Sequence, residues 1–473
     1  MPDRFEILHK DLSGRIGRLS TPHGTIETPL LMPVVNPHIQ IIPAPKLAEM
    51  GSEMIITNSY IIHQDEGLRE RALELGLHDL LGFHGPIMTD SGAFQLSVYG
   101  DIDVKPLEIL DFQNAIQSDI CVPLDIPTPP DVERERAEAE LRLTEARLEE
   151  AAVRPRGSLL AGPIQGSTYP DLRKRAAAFL RGLDFDLYPV GGVVPLMEAY
   201  RFRDLVDVVV AAKKGLGSGK PVHLFGAGHP MIFALAAAMG CDLFDSAAYA
   251  LYARQGRYLS ARGTWRLDEM SWLPCSCPVC QGHSAKELIE SPEKAKLLAA
   301  HNLYVSLQEM RLVKQCIREG SLWDLLESRC RSHPRMLDGL MRLAREGDWL
   351  ESLDGSSKST FFYLGPESAS RPEVIRAGRR VERISLQGRV LVTDDPKADA
   401  SGFEHVLYFK PPFGPYPQEL SETKPFNAET PEMADAASME QALENTRRLV
   451  AANPSATFSF RLRHMPEDMD MGA

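Results

Sequence analysis

The sequence predicts an α/β fold, a (β/α)8 TIM barrel with an inserted, structural zinc-binding subdomain, plus one or two small C-terminal α/β domains. Between about residues 25 and 260, short continuous apolar runs alternate with helix-like stretches. Continuous apolar runs are typical of parallel strands that are covered on both faces. The number of these runs, eight, suits a closed barrel better than an open sheet.

The eight runs define the predicted strands, and helical patterns at 131–153 and 201–213 separate some of them. In order, the runs are "TPLLMPVV", "EMIITNSY", "GPIMTDSGAF", "DICVPLDIP", "SLLAGPIQG", "DLYPVGGVV", "PVHLFGAG" and "DLFDSAAYAL". Six in succession end in a polar or glycine cluster, and in a barrel those ends converge on the rim where active sites form. The clusters are Asp90-Ser91-Gly92, Asp125, Gln165-Gly166, Gly191-Gly192, Gly226-Ala227-Gly228 and Asp245-Ser246.

This rim is predicted to bind a polar, planar, hydrogen-bonding ligand, because it gathers carboxylates, an amide and several bare backbone amides. The alternative is that each aspartate only caps the helix that follows it. Three aspartates and a glutamine at the same end of their strands favour a binding site. Gly226 and Gly228 we interpret as turn residues, whereas the role of Gly191 and Gly192 stays open.

The stretch "PCSCPVC" places Cys275, Cys277 and Cys280 at C-x-C-x-x-C spacing in a chain with seven cysteines. In a reducing compartment this spacing indicates a soft metal, and tetrahedral zinc requires a fourth ligand. His301, on a predicted helix, is favoured over His283, which lies in a turn close to the last cysteine. Free thiols are the alternative. Four protein ligands close a zinc site to substrate, so we predict one structural Zn²⁺ per chain and chemistry elsewhere.

Composition argues against several classes of protein. The odd number of cysteines and the lack of a signal-like N-terminus argue against a secreted disulfide scaffold, and no apolar run reaches about 18 residues. We therefore expect a cytoplasmic protein that does not enter a membrane. The net charge of −13 argues only weakly against nucleic acid, because phosphate contacts depend on where basic residues gather. Neither "GLGSGKPV" nor any other stretch completes a phosphate loop or a dinucleotide fingerprint.

After the barrel, short strand-like runs, a proline-rich turn and a helix over 430–451 predict appended α/β structure. We expect residues 1–335 to form the barrel domain, with the zinc site at about 270–305. Residues 336–425 are predicted to form a first C-terminal domain and residues 426–473 a partial second one.

Seven ordered motifs resemble those of one known family. They are "MTDSGAFQ", "DIPTPP", "PIQGS", "VGGVVPLMEAYRFRD", "PVHLFGAGHP", "GCDLFDSAAYALYARQGRYL", and "LPCSCPVC" with "HNLY". Together they look like the tRNA-guanine transglycosylases, and more like the archaeal type, the archaeosine tRNA-ribosyltransferases, than the bacterial type. The likeness covers about residues 5–330 and, more thinly, "KPPFGPYPQEL".

The resemblance implies both a fold and a reaction. The family's fold is a (β/α)8 barrel with a structural zinc, which agrees with the prediction from spacing. The reaction is a pentosyltransferase reaction of archaeosine biosynthesis. Guanine at position 15 of the tRNA D-arm is exchanged for 7-cyano-7-deazaguanine (preQ0) without cutting the backbone, after the guanine is unstacked and extruded.

The resemblance also assigns roles to the rim residues. Asp245 matches the family's nucleophile, which holds the ribose covalently between two displacements, and Asp90 matches its general acid/base. Asp242 is the rival nucleophile, and we interpret it as a structural group. Asp125 and Gln165 are expected to hydrogen-bond the base. The full set of expected base-binding residues is Ser91, Phe94, Asp125, Gln165, Val193, Val194 and Phe225.

The expected partners follow from the same resemblance. They are tRNA, the two bases preQ0 and guanine, and a second copy of the chain, because family members dimerise through the zinc region. Arg254 and Arg257 follow the matched nucleophile and are candidate RNA contacts. A further basic cluster, which we weigh as surface charge, consists of Arg376, Arg379, Arg380 and Arg383.

No segment resembles the PUA domain that commonly ends archaeal members, so we expect either a separately encoded PUA-domain protein or a different grip on tRNA. Two other function classes stay open. A non-catalytic tRNA-binding subunit or paralogue is expected to lack Asp90 or Asp245, and both are present. An unrelated barrel hydrolase with structural zinc would not need Asp125 and Gln165.

Overall fold

A computed structural model describes residues 4–93, 105–355, 358 and 360–463. The chain forms two compact units. The first consists of Met1–Arg318 and Ser328–Gly339, and the second of Glu319–Glu327 and Leu340–Ala473. The domain boundaries at 335/336 and 425/426 stay predictions.

The first unit is built on eight parallel strands within the described residues. These are β4 (Leu30–Val35), β5 (Ile55–Asn58), β6 (Ile87–Asp90), β7 (Ile120–Cys121), β8 (Leu159–Leu160), β9 (Tyr188–Val190), β10 (Val222–Leu224) and β11 (Leu243–Ser246). They pair in the order β8-β7-β6-β5-β4-β11-β10-β9. Parallel bridges from Ala161 to Leu187 and from Ile164 to Val190 join the two ends of this sheet. The TIM barrel is therefore confirmed, and every predicted strand lies in its expected run.

Side chains that alternate along these strands fill the barrel interior, as a closed sheet requires. They include Met32, Ile56, Met88 and Leu243, which are at most 3% exposed. An antiparallel sheet of β1 (Phe5–Asp11), β2 (Gly14–Thr21) and β3 (Gly24–Thr28) adds Leu19 and Ile26 to the same core.

Helices connect the barrel strands. The predicted helix at 131–153 extends over Arg134–Ala152, and the one at 201–213 over Phe202–Leu216. The latter ends at Gly217, whose φ of 82° lies in the region that favours glycine, so "GLGSGKPV" is a helix end and a loop. The other helices of this part are Ala44–Glu49, Ser59–Gln64, Glu66–Leu75, Leu77–Leu81, Pro106–Ala115, Pro170–Arg181, Val194–Glu198, Phe233–Ala238 and Ala248–Arg254, with a 3-10 turn at Pro230–Ile232.

A small subdomain carrying the cysteine cluster follows the last barrel strand. It begins with the hairpin β12 (Arg257–Ser260) and β13 (Gly263–Arg266), then a 3-10 turn at Leu267–Glu269. Its helices are Pro278–Gln281, Ala285–Glu290 and the long Lys294–Glu319. Ser284 and Glu287 close a capping box at the start of the second of these helices.

The second unit contains one mixed sheet in the order β16-β15-β14-β17. Its strands are β14 (Gly388–Thr393), β15 (His405–Lys410), β16 (Gly414–Pro417) and β17 (Ala456–Arg461). Its remaining elements are helices Gly347–Leu353, Pro372–Val381 and Ala436–Ala452, with 3-10 turns at Pro366–Ser370 and Gln418–Leu420.

The helix Pro372–Val381 of the second unit buries an apolar stripe. Val374, Ala377 and Val381 recur at helical spacing and are at most 8% exposed, as expected for an amphipathic helix packed against a sheet. Two more helices, Leu322–Cys330 and Pro334–Ala344, contribute residues to both units. In the described part of the chain no helix is both long and apolar enough to cross a membrane.

Candidate active site

The structure brings three aspartates together at the carboxyl ends of the barrel strands. Asp90 is the last residue of β6, Asp245 lies near the end of β11, and Asp125 follows β7. The charges of Asp125 and Asp245 both act on Asp90. The rim predicted from the sequence is therefore one site with clustered carboxylates.

The carboxylate of Asp245 is held at one oxygen. Oδ1 accepts a hydrogen bond from His223 Nε2 at 2.8 Å and another from the Gly226 amide at 2.7 Å. Asp245 as a whole is 8% exposed, so it is largely withdrawn from water. These two hydrogen bonds fix the orientation of the Asp245 carboxylate beside Asp90.

Asp242 has a different environment from Asp245. Both of its oxygens bind the Arg15 guanidinium, with Nε to Oδ1 and Nη2 to Oδ2 each at 2.7 Å. The Val222 amide also donates to Oδ2 at 2.7 Å, and Asp242 is fully buried. Its oxygens are thus occupied by protein donors, which matches the structural role expected for it.

Asp90 is positioned by Asn58 and Ser59, at the start of the helix that follows the neighbouring strand β5. Asn58 Oδ1 caps the Ile61 amide at 3.0 Å, which turns its Nδ2 towards Asp90 Oδ2 at 3.2 Å. The Ser59 hydroxyl donates to the Asp90 carbonyl at 2.7 Å. Burial, together with the nearby charges of Asp125 and Asp245, raises the pKa of Asp90 to about 7. A carboxyl group with this pKa can both give and take a proton near neutrality.

Asp125 and Gln165 form a buried polar pair. Gln165 Nε2 donates to Asp125 Oδ2 at 2.6 Å, and both residues are at most 3% exposed. Burial raises the pKa of Asp125 to about 6, which the hydrogen bond from Gln165 partly opposes. Within the described residues, Gln165 Oε1 has no hydrogen-bond partner. A buried acceptor without a partner points to a ligand N–H.

Gly191 and Gly192 are required by this pair. A Cβ at Gly191 would lie 2.1 Å from Gln165 Nε2, and Gly192 has a φ of 69°. Buried Arg173 supports the same loop by donating to the carbonyls of Ile164 at 2.7 Å and Gly191 at 2.8 Å. The glycine pair left open by the sequence therefore allows the chain to approach Gln165 closely.

The remaining base-binding candidates differ in burial, and one of them is not described by the structure. Ser91 is buried, and its hydroxyl donates to the Pro123 carbonyl at 3.3 Å. Val193 is buried and immediately precedes the helix Val194–Glu198. Phe225 is partly buried, with its ring centroid 4.5 Å from that of His223. Phe94 lies outside the described residues.

The four residues expected to bind metal are brought together. Ligand atoms of Cys275, Cys277, Cys280 and His301 all lie within 4.8 Å of one another. His301 Nδ1 is 3.5 Å from Cys277 Sγ and 3.3 Å from Cys280 Sγ. His301 Nε2 donates to the Leu259 carbonyl at 3.0 Å, which fixes the tautomer that leaves Nδ1 free to bind a metal. This donor set could hold one ion.

The rival ligand His283 is directed elsewhere, because its Nδ1 contacts the Val279 carbonyl at 2.9 Å. The His301 ring instead stacks on Tyr258 with centroids 3.6 Å apart. The Tyr258 hydroxyl reaches Cys280 Sγ at 3.3 Å. The long helix Lys294–Glu319 thus returns His301 over the cysteine loop, as its spacing predicted.

A second cluster of possible ligands is saturated by the protein itself. The Asp119 carboxylate accepts from the amides of His23 and Ile87, each at 2.8 Å, and contacts His23 Nδ1 at 3.0 Å and His78 Nε2 at 2.9 Å. Four partners occupy the lone pairs that a carboxylate offers. We interpret this cluster as structural.

The arginines singled out in the sequence differ in their surroundings: some are exposed, and others are paired with acidic side chains. Arg254 and Arg257 are exposed, and the Arg257 guanidinium lies 5.0 Å from the centre of the Tyr252 ring. In the second unit, Arg376 binds Glu351 at 2.9 Å, and Arg379 binds Asp348 at 2.7 Å and also Glu351. Half of the C-terminal basic cluster is therefore neutralised by acidic neighbours.

Sequence reasoning missed several supporting residues, namely Arg15, Asn58, Arg173 and His223. His223 had a detectable signal, since it is the one strongly polar residue inside the run "PVHLF" and shares a strand face with Phe225. Arg15 pairs with a residue 227 positions away, so no local pattern could have identified it.

Comparisons with known proteins agree with this geometry. The family model described as Queuine tRNA-ribosyltransferase matches residues 11–335. The chain is 58% identical to the tRNA-guanine(15) transglycosylase of Methanosarcina barkeri over 96% of its own length and 93% of the relative's. It is 53% identical to the protein of the same name from Haloferax volcanii, over 99% and 92% of the two lengths, and 48% identical to that from Archaeoglobus fulgidus, over 96% and 94%. This chain is an enzyme that belongs to the queuine tRNA-ribosyltransferase family of pentosyltransferases, and it is similar throughout to archaeal members.

Proposed function

We propose that this chain is a tRNA-guanine(15) transglycosylase, which exchanges guanine in the tRNA D-arm for preQ0 as a step of archaeosine biosynthesis. The observation that carries the proposal is the pairing of two unlike carboxyl groups in one pocket. Asp245 is oriented by two hydrogen bonds at Oδ1, and Asp90 has its pKa raised to about 7. Base exchange at a sugar carbon needs one nucleophile and one group that can move a proton.

The first displacement uses Asp245 as the nucleophile. Its carboxylate attacks C1′ of the target ribose, and the bond between C1′ and the guanine nitrogen breaks with its electron pair staying on the base. Protonated Asp90 supplies the proton that the departing guanine takes up. The product of this step is a ribosyl ester on Asp245, so the RNA backbone remains intact.

The second displacement reverses these roles. Asp90, now a carboxylate, takes a proton from incoming preQ0 as the base nitrogen attacks C1′. The ester bond breaks, and Asp245 is released as a carboxylate. Two inversions at C1′ retain the sugar configuration, as in retaining glycosidases.

The base is recognised by the buried pair Asp125 and Gln165. Gln165 Oε1, which has no partner within the described residues, accepts an N–H of the base, and Asp125 accepts another. Ser91, the amides near Val193 and Val194, and the ring of Phe225 complete the expected contacts. Guanine and preQ0 carry the same N–H donors along one edge of the base. One site can therefore bind both.

Zinc is the metal proposed for the Cys275, Cys277, Cys280 and His301 cluster. Three thiolates and one imidazole are a donor set typical of structural, four-coordinate Zn²⁺. The ion would join the loop around the cysteines to the long helix that carries His301. It takes no part in the base exchange.

The RNA partner is tRNA, with Arg254 and Arg257 as proposed contacts because both are exposed after the nucleophile's strand. We also propose a cytoplasmic homodimer formed through the metal-binding subdomain. Trp265 and Trp272 of that subdomain are 46% and 83% exposed, and exposed aromatic residues are enriched in interfaces. A separately encoded PUA-domain protein is a further proposed partner.

The experiment is release of labelled guanine from unmodified tRNA when purified protein and preQ0 are added, with Asp245→Ala in parallel. The proposal expects release by the wild-type protein and none by the variant. Folded, metal-loaded wild-type protein that binds tRNA without releasing guanine would instead support the non-catalytic binding subunit.

A further inference from the structure

We propose that His223 is a positioning residue that fixes the Asp245 carboxylate so that Oδ2, and not Oδ1, attacks the sugar. The inference rests on the proposed role of Asp245 as nucleophile. It adds a residue that has no assigned role and identifies the reacting oxygen.

The two oxygens of Asp245 are not equivalent. His223 Nε2 and the Gly226 amide both donate to Oδ1, at 2.8 and 2.7 Å. Within the described residues, no hydrogen bond reaches Oδ2. An oxygen that already accepts two hydrogen bonds is a poorer nucleophile than its unbonded partner, because its lone pairs are engaged. Oδ2 is therefore the oxygen available for attack.

The surroundings of His223 determine its tautomer. The ring is completely buried, and Nδ1 has no hydrogen-bond partner among the described residues. If Nδ1 carried the proton, Nε2 would direct a lone pair at the carboxylate, and Nδ1–H would be a buried donor without an acceptor. The tautomer protonated at Nε2 avoids both penalties, so His223 donates one hydrogen bond to Asp245.

The cost of burying His223 also argues for a functional role. It lies on β10 between Pro189 of β9 and Leu243 of β11, in a strand otherwise made of apolar residues. A polar ring with one unpartnered nitrogen is unfavourable there, and a hydrogen bond to a charged carboxylate offsets this cost. Packing alone would be served better by an apolar side chain.

The hydrogen bonds to Oδ1 act in both displacements. When Oδ2 forms the bond to C1′, Oδ1 becomes the carbonyl oxygen of the ester and still faces His223 and Gly226. When that ester bond breaks, the electron pair returns to the carboxylate, and the same two donors receive the recovered charge. The donors therefore favour departure of Asp245 in the second step, as preorganised donors do wherever negative charge develops.

The test compares His223→Leu, which removes the donor, with His223→Gln, which keeps an N–H at similar reach. Guanine release is followed in steady state and in a single turnover, with trapped protein–tRNA adduct as a second measurement. Loss of one preorganised donor typically costs on the order of 100-fold in kcat, and because Gly226 still donates we expect about 10- to 100-fold for His223→Leu. KM for tRNA should stay within about twofold, and His223→Gln should recover most of the loss.

Leu224→Ala is the matched control, because Leu224 is the next residue of β10 and is equally buried but lies on the opposite face. It should lower the unfolding midpoint without changing kcat in the folded protein. The inference is overturned if His223→Leu keeps kcat within twofold, or if His223→Gln and His223→Leu are equally impaired. These outcomes are separate from failure of the proposed function, in which the wild-type protein itself releases no guanine.

Discussion

Arg15 and Asp242 form a two-point ion pair in which both carboxylate oxygens accept from the guanidinium at 2.7 Å. Arg15 also donates to the carbonyls of Ser218 and Lys220, so it joins the N-terminal sheet to the loop before β10. Three residues further along the chain, Asp245 lies near Asp90 at the carboxyl ends of the barrel strands. Two nearby aspartates thus have different environments, because one is paired with an arginine and the other accepts from His223 and the Gly226 amide.

Asp242→Asn should destabilise the protein while leaving its chemistry intact. Removing one partner of a buried ion pair leaves an uncompensated charge, which typically costs about 3–5 kcal/mol in the free energy of unfolding. Urea unfolding measures this loss, and adduct formation is assayed at a temperature where the variant is folded. An Asp242→Asn protein that is folded but forms no adduct would contradict the assignment of Asp242 as structural.

Gly191→Ala should weaken binding of the base. The added Cβ would lie 2.1 Å from Gln165 Nε2, so that side chain must move and lose its contact with Asp125. Loss of a buried hydrogen bond of about 1–3 kcal/mol corresponds to roughly tenfold or more in Kd for preQ0, measured by calorimetry. Gly219→Ala is the control, because a methyl group added at Gly219 would have no atom within 4 Å of it. Unchanged affinity in Gly191→Ala would show that Gln165 does not contact the base.

Asp90→Asn should make the protein more stable at pH 8 than the wild type, although inactive. In the folded protein the pKa of Asp90 is raised from 3.8 to about 7, so the folded state binds more protons than the unfolded state between these values. Stability contributed by protonated Asp90 is therefore present below about pH 4 and is lost as the pH rises through about 7.

The asparagine variant cannot ionise and should gain at least about 1 kcal/mol relative to the wild type on going from pH 5 to pH 8. Urea unfolding of both proteins at the two pH values measures this difference. The raised pKa of Asp90 would be contradicted if the difference in free energy of unfolding between the wild type and Asp90→Asn were the same at both pH values.

Cys277→Ser should lose the bound metal and lower the unfolding temperature. Replacing one thiolate opens the four-ligand site, and the loop around the cysteines is then no longer joined to His301. Metal analysis should give about one zinc per wild-type chain and a large deficit in the variant, and a chelator should reproduce the loss of stability. Cys316→Ser, outside the cluster, should retain its zinc. An undiminished zinc content in Cys277→Ser would contradict the proposal that this cluster binds the metal.

Much of the fold could be predicted because each barrel strand is a continuous apolar run, and six of the eight runs end in a polar or glycine cluster. That pattern alone places Asp90, Asp125, Gln165 and Asp245 at the rim. The candidate metal ligands could be predicted equally well, since thiol spacing and helical periodicity are both local properties.

The supporting contacts could not be predicted, because they depend on how distant segments meet. His223 reaches Asp245 only through the pairing of β10 with β11, and the Arg376 and Arg379 side chains are neutralised by acidic residues of another helix. In the sequence those arginines were simply a basic cluster. The register of a barrel and the pairing of long side chains depend on the tertiary structure, so they cannot be predicted from composition or local sequence patterns.

The most direct test of the proposed mechanism is to identify the residue that forms the covalent adduct with tRNA. The wild-type protein is mixed with unmodified tRNA in the absence of preQ0 and denatured, and the adduct is digested and mapped by mass spectrometry. We expect a ribosyl ester on Asp245, absent from Asp245→Asn although that variant still binds tRNA. An adduct on another residue, or an undiminished adduct in Asp245→Asn, would contradict the mechanism.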